Sequence, residues 1–172
     1  MQMKTQLMEA ESVVDLVPQI LHLKKILVPI DFSDPSKKAF QYASRLAEQF
    51  DSEIVLLHVM ELPPPIAAMR LAYDARRSSV DRLSAAKKKL RALSSRIRSR
   101  PFSAVNSIIR TGHAPNEISK AAKDLDVDLI VIATHGFMGW KHFAIGSTAE
   151  RVVRSAPCPV LVVRERSTNL FR

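Results

Sequence analysis

The sequence predicts an α/β fold built on a parallel sheet. Short apolar runs of strand length alternate with longer stretches of helical periodicity, the order expected of a sheet threaded by right-handed crossovers. Three of the runs are nearly continuous Val, Ile and Leu, the composition of strands covered on both faces. At 172 residues the chain suffices for one domain with a sizeable core, whereas two domains would both be small.

Five strands are expected, at Lys25–Ile30 (KILVPI), Glu53–Val59 (EIVLLHV), Ser103–Arg110 (SAVNSIIR), Asp128–Ala133 (DLIVIA) and Pro159–Arg164 (PVLVVR). Helices are expected between them at Pro35–Phe50, Ile66–Ser99, Pro115–Leu125 and Ser147–Ser155. Ser33 is placed to cap the first helix, with Pro35 in the opening turn, where a missing N–H costs nothing. The long second helix carries Val80, Leu83, Ala86, Leu90, Leu93 and Ile97 at steps of three or four, a stripe that would pack on the sheet and leave the basic residues in water. Gly112–Pro115 breaks the chain before the third helix. Ser147 and Glu150 have the spacing of a capping box at the start of the fourth. Residues 1–22 read as a short helical extension ending near Pro18, residues 23–166 as the domain and residues 167–172 as a tail.

No apolar stretch approaches the roughly 20 residues that cross a bilayer. The first residues carry Glu9, Glu11 and Asp15 and lack the basic-then-apolar layout of a signal peptide. Cys158 is the only cysteine, so a disulfide within the chain is impossible, in keeping with a reducing, cytoplasmic setting. The net charge of +9 is concentrated in one segment: eleven bases lie between Arg70 and Arg100 against Asp74 and Asp81, and the rest of the chain is balanced.

Chemistry is expected beyond the carboxyl ends of the strands, where a doubly wound sheet places its ligands. Three such ends carry unusual residues: Asp31–Ser33 after the first strand, His58–Val59 at the second, and the stretch from Ala133 to Thr148 after the fourth. The last holds Gly136, Gly139 and Gly146, three of the chain's four glycines. It delivers Gly146-Ser147-Thr148 to a helix start, where unpaired N–H groups and the helix dipole favour an anion. The pattern matches neither the P-loop nor the dinucleotide fingerprint. On spacing alone, Gly136 and Gly139 also read as turn formers and Ser147 as a plain helix cap.

The segments KKILVPIDFSDPSKKAFQYA, EIVLLHV, RTGHAPNEISKAA and DLIVIATHGFMGWKHFAIGSTAERVVRSAPCPVLVVR resemble the universal stress protein family from Lys24 to Arg164. The resemblance implies a five-stranded parallel sheet in the order 3-2-1-4-5, with helices on both faces. It also implies a homodimer paired through the last strand, Pro159–Arg164. ATP-binding members carry a glycine, two residues, a second glycine, nine residues, then Gly-Ser or Gly-Thr. Gly136, Gly146 and Ser147 meet the second half of that pattern, and Ala133 stands where the first glycine would be, its methyl a source of crowding for phosphate or ribose. The resemblance places Asp31 near the ribose, Pro29 and Val59 near the adenine, and Gly136, Gly146, Ser147 and Thr148 around the phosphates, with Ile132, Ala133 and His135 completing the site. The implied ligand is ATP or another adenine nucleotide, with Mg²⁺ on the triphosphate, in a stress-response sensor or signalling dimer that is at most a slow ATPase. The alternatives are a non-nucleotide interaction module of the same fold, favoured by Ala133, and nucleic-acid binding through the basic helix at 70–100.

Other candidates carry less. His58, His135, Asp31 and Ser33 or Ser147 invite a hydrolase reading, but a triad needs a hydrogen-bonded nucleophile, base and orienting acid that spacing does not supply. The two histidines read better as loop-structuring or ligand-lining. The five histidines and Cys158 show no metal-ligand spacing. Trp140 and Phe143 read as loop anchors, Lys141 as a solvated lysine, and Pro63-Pro64-Pro65 as a stiff approach to the long helix.

Overall fold

A computed structural model describes residues 22–61, 72–95, 104–134 and 146–164, the side chains of 72–79 excepted. The readings made for residues 1–21, Pro63–Pro65, Ile97 and the tail at 167–172 lie outside it. So do those for His135, Gly136, Gly139, Trp140, Lys141 and Phe143.

The chain runs β1 (Lys25–Pro29), α1 (Asp34–Phe50), β2 (Glu53–Met60), α2 (Ala72–Ser95), β3 (Val105–Thr111), α3 (Ala114–Asp124), β4 (Leu129–Ala133), α4 (Ser147–Ser155) and β5 (Val160–Val163). All strand pairs are parallel, in the order β3-β2-β1-β4-β5. The strand order therefore reverses between β1 and β4, which are neighbours although three crossovers separate them in sequence.

Two apolar layers follow from the period-two alternation of the strands. Ile26, Val28, Ile30, Ile54, Leu56, Leu129, Val131 and Ala133 meet α1 and α2 through Ala39, Phe40, Ala43, Ala47, Leu90 and Leu93. Leu27, Val55, Leu57, Ile130 and Ile132 meet α3 and α4 through Ile118, Ala121, Ala122, Ala149 and Val152. The sheet is thus covered on both faces, which is why its central strands read as unbroken apolar runs.

The helix starts are made as the sequence proposes in two cases. Ser33 caps α1, its Oγ accepting from the Ser36 N–H, and Pro35 lies in the first turn. Gly112 turns the chain at φ +150° before α3, whose first turn holds Pro115. The third case is a correction. The N-cap of α4 is Gly146 rather than Ser147, and this N-cap makes no side-chain cap hydrogen bond. Glu150 pairs instead with Arg154 at 2.9 Å, one turn along the same helix. The apolar stripe on α2 also needs correcting, because Val80 is 65 % exposed. At 100° per residue Val80 falls some 80–100° away from the direction shared by Leu83, Ala86, Leu90 and Leu93. Three-and-four spacing held locally, but its drift carried the first member off the buried face.

Candidate functional site

The candidate site is the strand-order reversal between β1 and β4. Two strand ends border it, and each is fixed by hydrogen bonds that the sheet itself dictates. β1 remains paired past its last strand residue, since the Ile30 N–H donates to the Leu57 carbonyl at 2.8 Å. The chain then turns through Asp31, Phe32 and Ser33 into α1. Asp31 is exposed. Its Oδ1 accepts both the Ser33 N–H at 3.0 Å and the Ser33 hydroxyl at 2.5 Å. The same hydroxyl oxygen accepts from Ser36 as the helix cap, so the carboxylate and the start of α1 form one connected unit.

On the other side, the Thr134 N–H donates to Val163 O at 3.0 Å and its carbonyl accepts from the Gly146 N–H at 2.6 Å. Thr134 and Gly146 are therefore held together, and Thr134 is 2 % exposed there. Register does the rest. Leu27 faces Ile130 across β1 and β4, and Asp31 and Thr134 each follow that pair by four residues on the two neighbouring strands. The carboxylate and the N-terminus of α4 thus come to adjacent strand ends. Gly146 supplies no side-chain acceptor to the first turn of α4, and the aligned peptide dipoles give that end a partial positive charge.

The remaining expected residues sort by layer. Ile132 is buried in the α3/α4 layer, and Val59 packs against it. Pro29 is buried and follows Leu27 on the same side of β1. These three are therefore on the sheet face from which α4 starts. Ala133 points the other way. Its methyl is packed beneath α1 and is 9 % exposed, so the side chain that replaces the family's first glycine is taken up by the opposite core. Ser147 is exposed and Thr148 half-buried in the first turn of α4. His135 and Gly136 lie outside the described residues.

Phe32 is the feature that sequence reasoning missed. Its φ is +67°, a left-handed conformation that is costly for a bulky side chain. Three contacts hold the turn in place. The ring packs on the α1/α2 layer, lies 4.5 Å from the His58 ring at a 41° tilt, and has the Lys89 ammonium 5.1 Å from its centroid. His58 is itself tied, with Nδ1 2.7 Å from the Ile30 carbonyl oxygen. The histidine is thus a loop-structuring residue, and neither it nor the Ser33 hydroxyl is arranged as a base and nucleophile. Nothing in linear spacing announces these contacts, because Lys89 reaches Phe32 only through the packing of α2 over the sheet.

Cys158 is half-buried on the α3/α4 layer. Burial, then the nearby Asp128 charge, pushes its thiol above the ordinary range, opposed by a backbone hydrogen bond at Ile130. Among the described residues no group of three or more His, Cys, Asp and Glu side chains is gathered in a way that could hold a metal ion. Among them also, no helix is long and apolar enough to cross a membrane.

Comparison with known proteins is consistent across sequence and structure. The model of the universal stress protein family matches residues 22–164. Universal stress protein MJ0531 of Methanocaldococcus jannaschii is 31 % identical over 147 residues, covering 83 % of this chain and 82 % of that protein. The structure of MJ0577 from the same organism superposes with a TM-score of 0.76 at 28 % identity, covering 86 % of this chain and all of that one. A universal stress protein from Archaeoglobus fulgidus, solved in complex with dAMP, shares the fold at a TM-score of 0.60 and 21 % identity, over 83 % of this chain and 98 % of its own.

Proposed function

The chain belongs to the universal stress protein family, and from that premise we propose that it binds an adenine nucleotide, ATP first among them, in the crevice between β1 and β4. One observation carries the reading: β1, which leads into Asp31, and β4, after which the chain returns at the α4 N-terminus, are neighbours where strand order reverses, and the α4 N-cap Gly146 offers no side-chain acceptor. A carboxylate accepts the ribose hydroxyls, and backbone N–H groups with the Ser147 and Thr148 hydroxyls donate to phosphate oxygens. Pro29, Val59 and Ile132 would offer apolar surface to the base, and His135 and Gly136, outside the described residues, stay in the proposed site on the sequence pattern alone. The burial of the Ala133 methyl beneath α1 supports the reading, because the substitution adds no bulk on the α4 side.

Mg²⁺ would travel on the triphosphate, held by its oxygens. Hydrolysis would be slow. His58 is committed to the Ile30 carbonyl and the Ser33 hydroxyl to Asp31, and a general base needs to be placed on the attacking water. The role that fits is a cytoplasmic sensor or signalling protein. Its homodimer would form along β5, the sheet's edge strand, where Leu161 is 39 % exposed.

Titration calorimetry with ATP and Mg²⁺ tests the proposal, together with Asp31→Ala and Gly146→Lys. Losing a hydrogen bond to a charged group is worth about 1.5–3 kcal/mol, so Asp31→Ala should weaken binding by about ten- to a hundredfold. Absence of heat and of any thermal shift at millimolar ATP would end the proposal.

A further inference from the structure

Five of the eleven bases in the basic segment have described side chains, and all five lie on the outer surface of α2. Arg82, Lys87, Lys88, Lys89 and Arg91 of α2 are all exposed, and Asp81 is the one acid among that helix's described side chains. Among the described residues Arg82, Lys87, Lys88 and Arg91 enter no ion pair, and the contact of Lys89 is the Phe32 ring. The opposite layer intersperses acids among its cations. There Arg110 lies 2.9 Å from Asp124 and 3.9 Å from Glu117, and Arg154 pairs with Glu150.

Helical geometry spreads the five cations over the outer surface of α2. Lys87 and Arg91, four residues apart, share one flank. Arg82 and Lys89, two turns apart, share the other, and Lys88 points outward between them. From Arg82 to Arg91 the rise is about 14 Å.

The chemistry of the surroundings selects the partner. Between the cations the exposed positions are Ser84, Ala85, Ala92 and Ser95, with Val80 at one end. A protein partner would be anchored by buried aromatic or apolar groups, and this face has one valine to offer. A helix lying on a membrane inserts its apolar side, but here Ala86, Leu90 and Leu93 are spent on the sheet. A polyelectrolyte needs neither, because released counterions supply its binding free energy. We propose that the exposed face of α2 binds the phosphodiester backbone of a nucleic acid without reading its bases, at a surface distinct from the nucleotide crevice.

Fluorescence anisotropy of the full chain with a labelled 20-base-pair duplex, and separately with a 20-nucleotide RNA, tests this without added ATP. Five phosphate contacts give a log–log salt slope near −4.5 for duplex and −3.5 for single strands, so duplex affinity should fall roughly 500-fold between 50 and 200 mM salt. Lys87→Glu with Lys88→Glu should cost at least about tenfold at 50 mM and flatten that fall to about 40-fold. Lys120→Glu with Lys123→Glu makes the same change in net charge on α3 and should bind as the parent does. Far-UV circular dichroism checks each variant, and Lys87→Gln with Lys88→Gln replaces the glutamate pair if it fails to fold. The proposal is overturned by absence of binding at 50 mM salt, or by equal weakening in both double variants. It is overturned as well if polyglutamate, or vesicles rich in phosphatidylserine, displace the probe as effectively as unlabelled duplex, which would assign the face to an acidic protein or to a membrane.

Discussion

Phe32 can be replaced so that its two roles separate. Alanine removes the ring and keeps a Cβ in the left-handed turn. Glycine removes both. The left-handed conformation costs an L-residue about 1–2 kcal/mol and glycine essentially nothing. The ring's contacts work in the other direction. Its tilted approach to His58 at 4.5 Å contributes about 0.5–1.5 kcal/mol, and the Lys89 ammonium at 5.1 Å about 0.5–1 kcal/mol at an exposed site. Both variants forfeit those terms, about 1–2.5 kcal/mol together, along with the packing on α1 and α2. Between the two, glycine regains the conformational penalty and loses about 0.5–1 kcal/mol to its freer unfolded state. Phe32→Gly should therefore be more stable than Phe32→Ala by about 0.5–1 kcal/mol, the reverse of the usual order. Urea denaturation reads this directly. With an m-value of about 2 kcal/mol/M the midpoints should differ by about 0.3–0.5 M. If the alanine variant is as stable as the glycine variant, the turn is not held against its own preference and the ring is ordinary packing. Nucleotide affinity gives a second reading. Both variants should bind ATP more weakly than the parent, because the ring fixes the turn from which Asp31 projects.

Two further outcomes follow from contacts remote from the crevice. Asp128 Oδ2 accepts the N–H groups of Lys24 and Lys25 at 2.8 Å each, tying the start of β1 to the start of β4, so Asp128→Ala should lower stability by about 2–3 kcal/mol and Asp128→Asn by less, as urea midpoints would show. The raised Cys158 thiol should react with Ellman's reagent along a pH profile whose midpoint lies above the roughly 8.5 of a free cysteine. The sign for stability is the same: the contribution of the buried neutral thiol is present below the ordinary thiol range and is lost as pH rises through the folded-state value. A reaction midpoint at or below that of free cysteine contradicts the burial argument.

Nearly the whole frame was legible in the sequence, for reasons that can be stated strand by strand. KILVPI, EIVLLHV and DLIVIA are apolar at every position or nearly so because both faces of β1, β2 and β4 are covered, and that composition has few other uses. Strand order was not legible from pattern; it came from resemblance, since nothing local in β1 says that β4 rather than β3 lies beside it. At the crevice, Asp31, Gly146 and Ser147 stood out because their residue types have few roles at the end of a strand and the start of a helix. Their division of labour did not. Ser147 and Glu150 have the letter spacing of a capping box, but the helix begins one residue earlier than that reading requires, and a serine at the first helical position cannot serve as the cap. The direction of Ala133 was hidden for a similar reason: whether its methyl meets a ligand or the core depends on strand parity relative to the two layers, which needs the register of β4. Val80 and Phe32 failed at longer range, one through helical drift and one through packing between elements 57 residues apart in sequence.

The crevice and the basic face lie on different sides of the sheet, yet they are not insulated from each other. Lys89 belongs to the α2 face and also sits over Phe32, one residue from Asp31. A phosphate that drew the Lys89 ammonium away would remove a cation–π contact of about 0.5–1 kcal/mol from the turn. Linkage then fixes both the sign and the ceiling. Engagement of the helix can weaken nucleotide binding by no more than about two- to fivefold through this route, and nucleotide must weaken engagement of the helix by the same factor. A larger antagonism would require the turn itself to change state, and Asp31, tied through Ser33 to the cap of α1, would have to carry the start of that helix with it. The small coupling is therefore what the geometry favours: two proposed anion-binding surfaces, joined by one lysine.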